Sequence, residues 1–433
     1  DSTTVDSGVD APSDASSGDG FDGCTCNLGD AAPGSLDFTF AAGPKALGSF
    51  SPNAAAVDAQ GRVYVAGTSA DCGFSAAAVV HRFNADGTHD GTFGGGDAAA
   101  TGVCIHYDSV DSAYAVAIDS AGNVVVGGLS YNGSNRLHAT VTRLTSSGAF
   151  DIAFNTTGKV DLNPTNQSDN GFAAVQGIAF FGNKIVVTGS TEAIRPGVST
   201  RHTGLIARLN ADGTSDTSFA NGLYKDTNVV GYYGVVADGA GTVTAVGATN
   251  ATPRQLVVRK LDVSGAPDGT FGDAGALTTL VPGDAGNGAT EGRALMVSGT
   301  RYVVGLPVPA LNGGDYATGP SGVLGVTAAG AVDTTFGTAG ATTVPPLKFT
   351  IGYQLTAFAP ECDGKILFGS RYDDPDAASN ANQDIGITRL LSNGAIDTGF
   401  GASGVAHFTQ AGNEIAVAVA QDPSTGRIVV VGA

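Results

Sequence analysis

The stretch ARLNADGTSDTSFANG (Ala207–Gly222) runs from an apolar segment into an Asp-Gly turn, then an aspartate, two small hydroxylated residues, a phenylalanine and a glycine. Its closing piece, Asp216 to Phe219, returns six more times: Asp37 to Phe40, Asp90 to Phe93, Asp151 to Phe154, Asp268 to Phe271, Asp333 to Phe336 and Asp397 to Phe400. Successive phenylalanines stand 52 to 65 residues apart, so one supersecondary unit is repeated along the chain.

Each unit holds a second landmark, two apolar runs around a polar turn with the second run closing on glycine. Examples are AAAVDAQGRVYVAG to Gly67, AVAIDSAGNVVVGG to Gly128 and GVVADGAGTVTAVG to Gly247. Short Val- and Ile-rich runs bounded by Gly, Asp and Asn read as the strands of a hairpin. A third strand precedes each Asp-Gly turn and a fourth follows the phenylalanine. Four antiparallel strands taken seven times predict an all-β, seven-bladed β-propeller. The last repeat, at RIVVVGA, stops short of four strands, while the N-terminal segment from Gly20 to Phe40 carries a strand-turn piece. That segment is expected to complete the seventh blade as a clasp, within one domain spanning residues 20–433.

Residues 1–19 differ in kind, being Asp, Ser, Thr and Gly with almost no large apolar side chain. Such a segment buries too little surface to offset its ordering entropy and reads as a linker. The 433 residues carry 40 acidic against 21 basic side chains, a net charge of −19. That balance opposes nucleic acid and anionic membranes as partners. No apolar run approaches the length of a membrane span.

The paired landmarks resemble the bacterial delta-60 repeat family, over residues 20–433. The resemblance implies a propeller in a secreted or surface protein of a Gram-negative bacterium, in a family mostly without assigned activity. The acidic tail is similar to the spacer that follows the lipidated cysteine of such lipoproteins. In the fifth repeat, Gly325 stands where other repeats carry a basic residue, at Arg82, Arg143, Arg208, Lys260 and Arg389.

The repeated aspartates, Asp37, Asp90, Asp151, Asp216, Asp268, Asp333 and Asp397, follow a tight turn where a carboxylate can accept backbone N–H bonds. Their partners Phe40, Phe93, Phe154, Phe219, Phe271, Phe336 and Phe400 are placed to plug the wedge between blades. The alternative is a ring of carboxylates binding cations, but a residue present in every blade serves what every blade shares.

Function belongs to what differs between blades. The variable connections TSADCGFS, LSYNGSNRLH, STEAIRPGVSTRHT, LPVPALNGGDYATGPS and SRYDDPDAASNANQD mark one face as a binding surface, expected to be that of the first-to-second and third-to-fourth strand turns. Tyr131, Arg195, Arg201, Tyr316, Arg371 and Tyr372 are its best contact residues. In the last of these loops Asp373, Asp374, Asp376 and Asp384 gather oxygen ligands suited to Ca²⁺, without the glycine and terminal glutamate of an EF-hand. No other cofactor is indicated.

Catalysis lacks a local signature. The six histidines show no metal spacing, and no nucleophile elbow or phosphate loop is present. The expectation is therefore a protein that is not an enzyme, with a glycan-active enzyme as a lesser alternative. Of the five cysteines, Cys72 and Cys104 form the first candidate disulfide, and Cys24 and Cys26 fall on the clasp. Two readings remain: a surface module that binds a protein or glycan, and a structural subunit that joins copies of itself into a filament through its tail or clasp.

Overall fold

The computed structural model describes residues 35, 49–94, 102–107, 110–132, 136–162, 174–191, 203–251, 254–280, 291–306, 321–344, 347–348, 357–373, 383–408 and 416–432. The tail, and the clasp apart from Ser35, lie outside them, with Asp37, Phe40, Cys24 and Cys26.

Alternating apolar residues fold into antiparallel sheets in sequence order. Blade one comprises β1 (Ser51–Val57), β2 (Val63–Ser69), β3 (Ala77–Phe83) and β4 (Val103–Ile105). Blade two holds β5 (Val110–Ile118), β6 (Val124–Asn132), β7 (Arg136–Leu144) and β8 (Lys159–Asp161). Blade three holds β9 (Ala174–Phe181), β10 (Lys184–Ser190), β11 (Gly204–Leu209) and β12 (Leu223–Asp226). Blade four holds β13 (Val229–Ala237), β14 (Val243–Thr249), β15 (Leu256–Leu261) and β16 (Ala276–Thr279). Blade five holds β17 (Ala294–Ser298), β18 (Arg301–Leu306), β19 (Ser321–Thr327) and β20 (Ala341–Val344). In blade six the first position is shared by β21 (Leu347–Lys348) and β22 (Phe358–Pro360), both pairing with β23 (Ile366–Asp373), followed by β24 (Gln383–Leu390) and β25 (Val405–Phe408).

Among the described residues the propeller has six four-stranded blades, not the seven expected from the repeat count. The last repeat contributes only the hairpin of β26 (Ala416–Gln421) and β27 (Ile428–Gly432) among the described residues. Counting motifs overcounted blades because a hairpin landmark alone does not make a four-stranded sheet. This hairpin packs between blade six and blade one: Val429 and Val431 meet Phe50, Val63 and Val65 on one side, and Val419 meets Phe400 and Leu367 on the other. The described residues contain no helix long and apolar enough to cross a membrane.

The landmark glycine has a steric cause. At Gly67, Gly128 and Gly247 the neighbouring first strand bulges. There a Cβ would lie 2.1, 2.0 and 1.9 Å from the carbonyl oxygens of Ser51, Ser112 and Gly231. No side chain fits beneath that oxygen, so the hairpin closes on glycine.

The phenylalanines are the seams between blades. Phe93 lies among Tyr64, Ala66 and Val80 of blade one and Val124, Val126 and Leu144 of blade two. Phe154, Phe219, Phe271 and Phe336 fill the next four seams, and Phe400 fills that between blade six and the hairpin. Each is buried, and truncating such a ring to alanine costs on the order of 3–5 kcal/mol.

Candidate functional site

The short turns and the variable connections lie on opposite faces. The variable segments join the second strand of a blade to its third, and share their face with the passage from the fourth strand to the next blade. The sequence-based assignment to the first-to-second and third-to-fourth turns is thus corrected: antiparallel alternation puts those turns on the other face.

On the short-turn face the repeated polar residues are committed to one another. Thr92, Ser218, Thr270 and Thr335 each donate both a backbone N–H and a hydroxyl, the latter at 2.6 Å, to the Oδ1 of Asp90, Asp216, Asp268 and Asp333. Asp151 and Asp397, followed by Ala153 and Gly399, receive the N–H alone. The Nε of Arg82, Arg143, Arg208 and Arg389 donates to the partner carboxylate at 2.7 to 2.9 Å, and each guanidinium rests 4.5 to 4.7 Å from the centroid of its phenylalanine. Lys260 stands 3.4 Å from Asp268. Burial alone would raise the Asp90 pKa, but the Thr92 donors and Arg82 hold it below its ordinary value.

These staples also join blades. The N–H following the phenylalanine, on Gly94, Asn155, Ala220, Gly272 and Gly337, donates at 2.7 to 2.8 Å to a turn carbonyl of the next blade, on Ser147, Asp212, Ser264, Ala329 and Asn393. Arg82 and Arg143 reach the same turns at the Ser146 and Ala211 carbonyls. In blade five the missing guanidinium is supplied from the adjacent strand: Arg301 pairs with Asp333 at 2.9 Å and donates to the Ser392 carbonyl of blade six at 2.9 Å. Position 325 itself is closed to a side chain, since a Cβ there would lie 2.6 Å from that of Phe336. A cavity of about 180 Å³ beside Arg301, Tyr302, Thr244 and Asp238 lies on this face.

The variable face is built differently. Cys72 and Cys104 are joined, with Cα atoms 6.0 Å apart, which ties the β2–β3 connection to β4. Two residues beyond Cys72, Phe74 is 43% exposed and stacked on the His106 ring, with centroids 3.6 Å apart and planes 13° from parallel. His106 Nδ1 lies 2.8 Å from Asp111, a buried carboxylate that also accepts the Tyr107 N–H. Lys159 Nζ donates to the His106 carbonyl at 2.6 Å. The disulfide, the Asp111 carboxylate beside the His106 ring and the lysine together hold a stacked aromatic pair whose Phe74 ring is partly exposed.

Of the sequence-predicted contact residues, Tyr131 lies within β6, paired with Val110 and Leu137. Arg371 and Tyr372 belong to β23, opposite Lys348 and Leu347 and opposite Ile385 and Asp384, so the strand extends through what read as a loop. Arg195, Arg201 and Tyr316 lie outside the described residues. Of the Ca²⁺ candidates, Asp373 and Asp384 fall on adjacent strands one register step apart, Asp384 being buried, while Asp374 and Asp376 lie outside the described residues. Among the described residues no three His, Cys, Asp or Glu side chains gather as a metal site. Sequence reading missed Phe74 and His106, for which an aromatic two residues past a cysteine in a variable connection was the available signal. Cys362, after β22, is also in a disulfide, with a partner outside the described residues.

The profile of a family described as a domain of unknown function, DUF5122, beta-propeller, matches residues 183–219 and 363–400. Both windows run from the hairpin turn to the Asp-x-x-Phe phenylalanine. No curated protein matches the chain. Among solved structures it is similar to puromycin hydrolase, 16% identical with a TM-score of 0.48, covering 93% of this chain and 56% of that one. It is similar to a PL25 ulvan lyase, 11% identical with a TM-score of 0.42, covering 81% and 85%. A third is prolyl oligopeptidase B from Galerina marginata, 11% identical with a TM-score of 0.35, covering 80% of this chain and 43% of that one. The expectation that the chain is not an enzyme is corrected beside these matches, all of them enzymes. That expectation rested on missing local motifs, and residues drawn from separate blades leave none. At these identities and scores the matches assign no reaction to this chain.

Proposed function

We propose that this propeller is a surface or extracellular binding module that engages a saccharide through its variable face. The observation that carries the reading is the Phe74–His106 stack, an exposed planar ring held on a disulfide-tied connection. A ring already ordered loses little conformational freedom on binding and offers its face to the C–H edge of a sugar. The short-turn face, by contrast, spends its repeated polar groups on the scaffold. A disulfide supports an oxidising compartment, as does the resemblance of the repeats to the delta-60 family.

The test is a glycan array probed with the full chain and with Phe74→Ala, alongside melting curves for both. The expected result is a discrete set of bound glycans whose binding falls about tenfold or more in the variant, as for a buried aromatic anchor. No bound glycan, or equal binding by the variant, would overturn the reading. Incubating the bound glycans with the protein and measuring new reducing ends tells capture from cleavage.

A further inference from the structure

Blade one and blade four turn their first hairpin in the same register. Val57 pairs with Val63 and Ala237 with Val243, so Asp58 matches Asp238, and Arg62 and Tyr64 match Thr242 and Thr244. In blade one the Asp58 Oδ1 accepts the Gln60 and Arg62 N–H groups, while its Oδ2 accepts the Arg62 Nε–H at 2.7 Å and the hydroxyl of the fully buried Tyr64 at 3.1 Å. In blade four the Asp238 Oδ1 accepts the Ala240 and Thr242 N–H groups at 3.0 and 2.8 Å, and no described residue donates to Oδ2. The matching carboxylates of blade two and of the last hairpin, Asp119 and Asp422, have Oδ2 occupied as well, by the Asn123 Nδ2 and by the Thr425 hydroxyl.

Thr244 faces the seam of blades four and five as Tyr64 faces that of blades one and two, but it leaves the room of a ring unfilled. The cavity of about 180 Å³ lies at that seam, lined by the β13–β14 and β17–β18 hairpins. Val236, Ala237 and Thr244 in its wall are buried, and Asp238 at its edge is exposed. Tyr302 enters from blade five. Its ring meets Phe271 edge-on with centroids 6.0 Å apart, as Tyr64 meets Phe93 at 5.7 Å, but its hydroxyl accepts from Thr244 at 3.2 Å and does not serve the carboxylate. Arg301, also beside the cavity, is committed to Asp333 and to the Ser392 carbonyl. What stays open is a mostly apolar slot with one carboxylate oxygen at its edge.

We infer that this cavity is a binding site for a small phenol, whose ring takes the room left by the missing tyrosine and whose hydroxyl donates to Asp238 Oδ2. The volume suffices for one ring, since an apolar cavity of about 150 Å³ holds benzene. Val236, Ala237 and Val297 offer the ring an apolar wall, and a hydroxyl given to a carboxylate makes a charge-assisted hydrogen bond, stronger than one between neutral groups. A carboxylate with a free oxygen repels anions, and the committed Arg301 offers them no spare charge, so an organic acid is the wrong guest. The site lies on the opposite face from Phe74 and on other blades, so either can fail without the other.

Titration calorimetry of the full chain with p-cresol, and with toluene as the same ring without its hydroxyl, tests the assignment. Saturable p-cresol binding at millimolar concentration or below is expected, with toluene bound about fivefold more weakly or worse, as for a lost charge-assisted hydrogen bond. Thr244→Tyr, which restores the side chain of blade one, should abolish the binding of both. Asp238→Asn keeps an oxygen for the two turn N–H groups and should weaken p-cresol alone, which decides the question if the Thr244→Tyr protein does not fold. Absence of saturable heat with p-cresol would overturn the proposal. So would equal affinity for the two ligands, or p-cresol binding unchanged in folded Thr244→Tyr or in Asp238→Asn.

Discussion

At the scale of single residues, burial is the force that sets chemistry in this molecule. His81 is buried between Phe50 and Phe83, with Nδ1 3.1 Å from His89 Nε2. Burial first, then the His89 charge, lowers its pKa from 6.5 to about 4, against a smaller opposing pull from Asp71. The unfolded chain therefore binds this proton near pH 6.5, while the folded one waits until about pH 4. Between those values the unfolded state holds more protons, so stability falls as pH drops through that window, by up to about 3 kcal/mol. Melting temperatures of wild type and His81→Leu from pH 7.5 to pH 4 check this: the variant should show the shallower slope, and equal slopes would remove His81 as the cause. The Asp-x-[Ser/Thr]-Phe chemistry was legible in the sequence because its donors are two residues away and recur in copy after copy. The Phe74–His106 stack and the cavity between Asp238 and Tyr302 were not, because their members are brought together only by the fold, across 32 and 64 positions.

At the scale of elements, Arg301 shows that a blade conserves an atom's position and not a residue's. Where Gly325 leaves β19 without a cation, β18 delivers one to the same carboxylate and the same neighbouring turn. Only the gap at Gly325 was visible in the sequence. Nothing in a linear pattern says that a residue 24 positions earlier lies beside it. Arg301→Ala should lower the stability of the protein by about 2–4 kcal/mol, since it strips a mostly buried Asp333 of its ion pair. Adding Gly325→Arg to that variant should deepen the loss, because the new side chain would collide with Phe336. Thermal melts of the two variants distinguish these outcomes, and rescue by the second change would refute the steric argument.

At the scale of the whole molecule, strand and turn were readable throughout the described blades, but the number of blades was not. A repeat signals a hairpin and a turn, and whether four strands assemble around them depends on segments with no motif of their own. The hairpin of β26 and β27 has only two strands among the described residues, with β27 mostly half-buried while every residue of β14 is buried. Hydrogen exchange should find the amides of β26 and β27 opening before those of β9 to β15, and protection equal to that of β14 would contradict this ranking. The blade-to-blade staples carry a further consequence. Blades one to five each present a donor, the N–H after the phenylalanine, and blades two to six each present the turn carbonyl that accepts it. Arg427 of the last hairpin reaches toward the Ala85 carbonyl of blade one at 3.5 Å, the counterpart of the turn carbonyl that Arg301 takes in blade six. The polarity of this link is the same at all five of these seams, so a duplicated blade would carry a matching donor on one edge and a matching acceptor on the other, leaving the apolar packing of the seam as what a change of blade number must still fit.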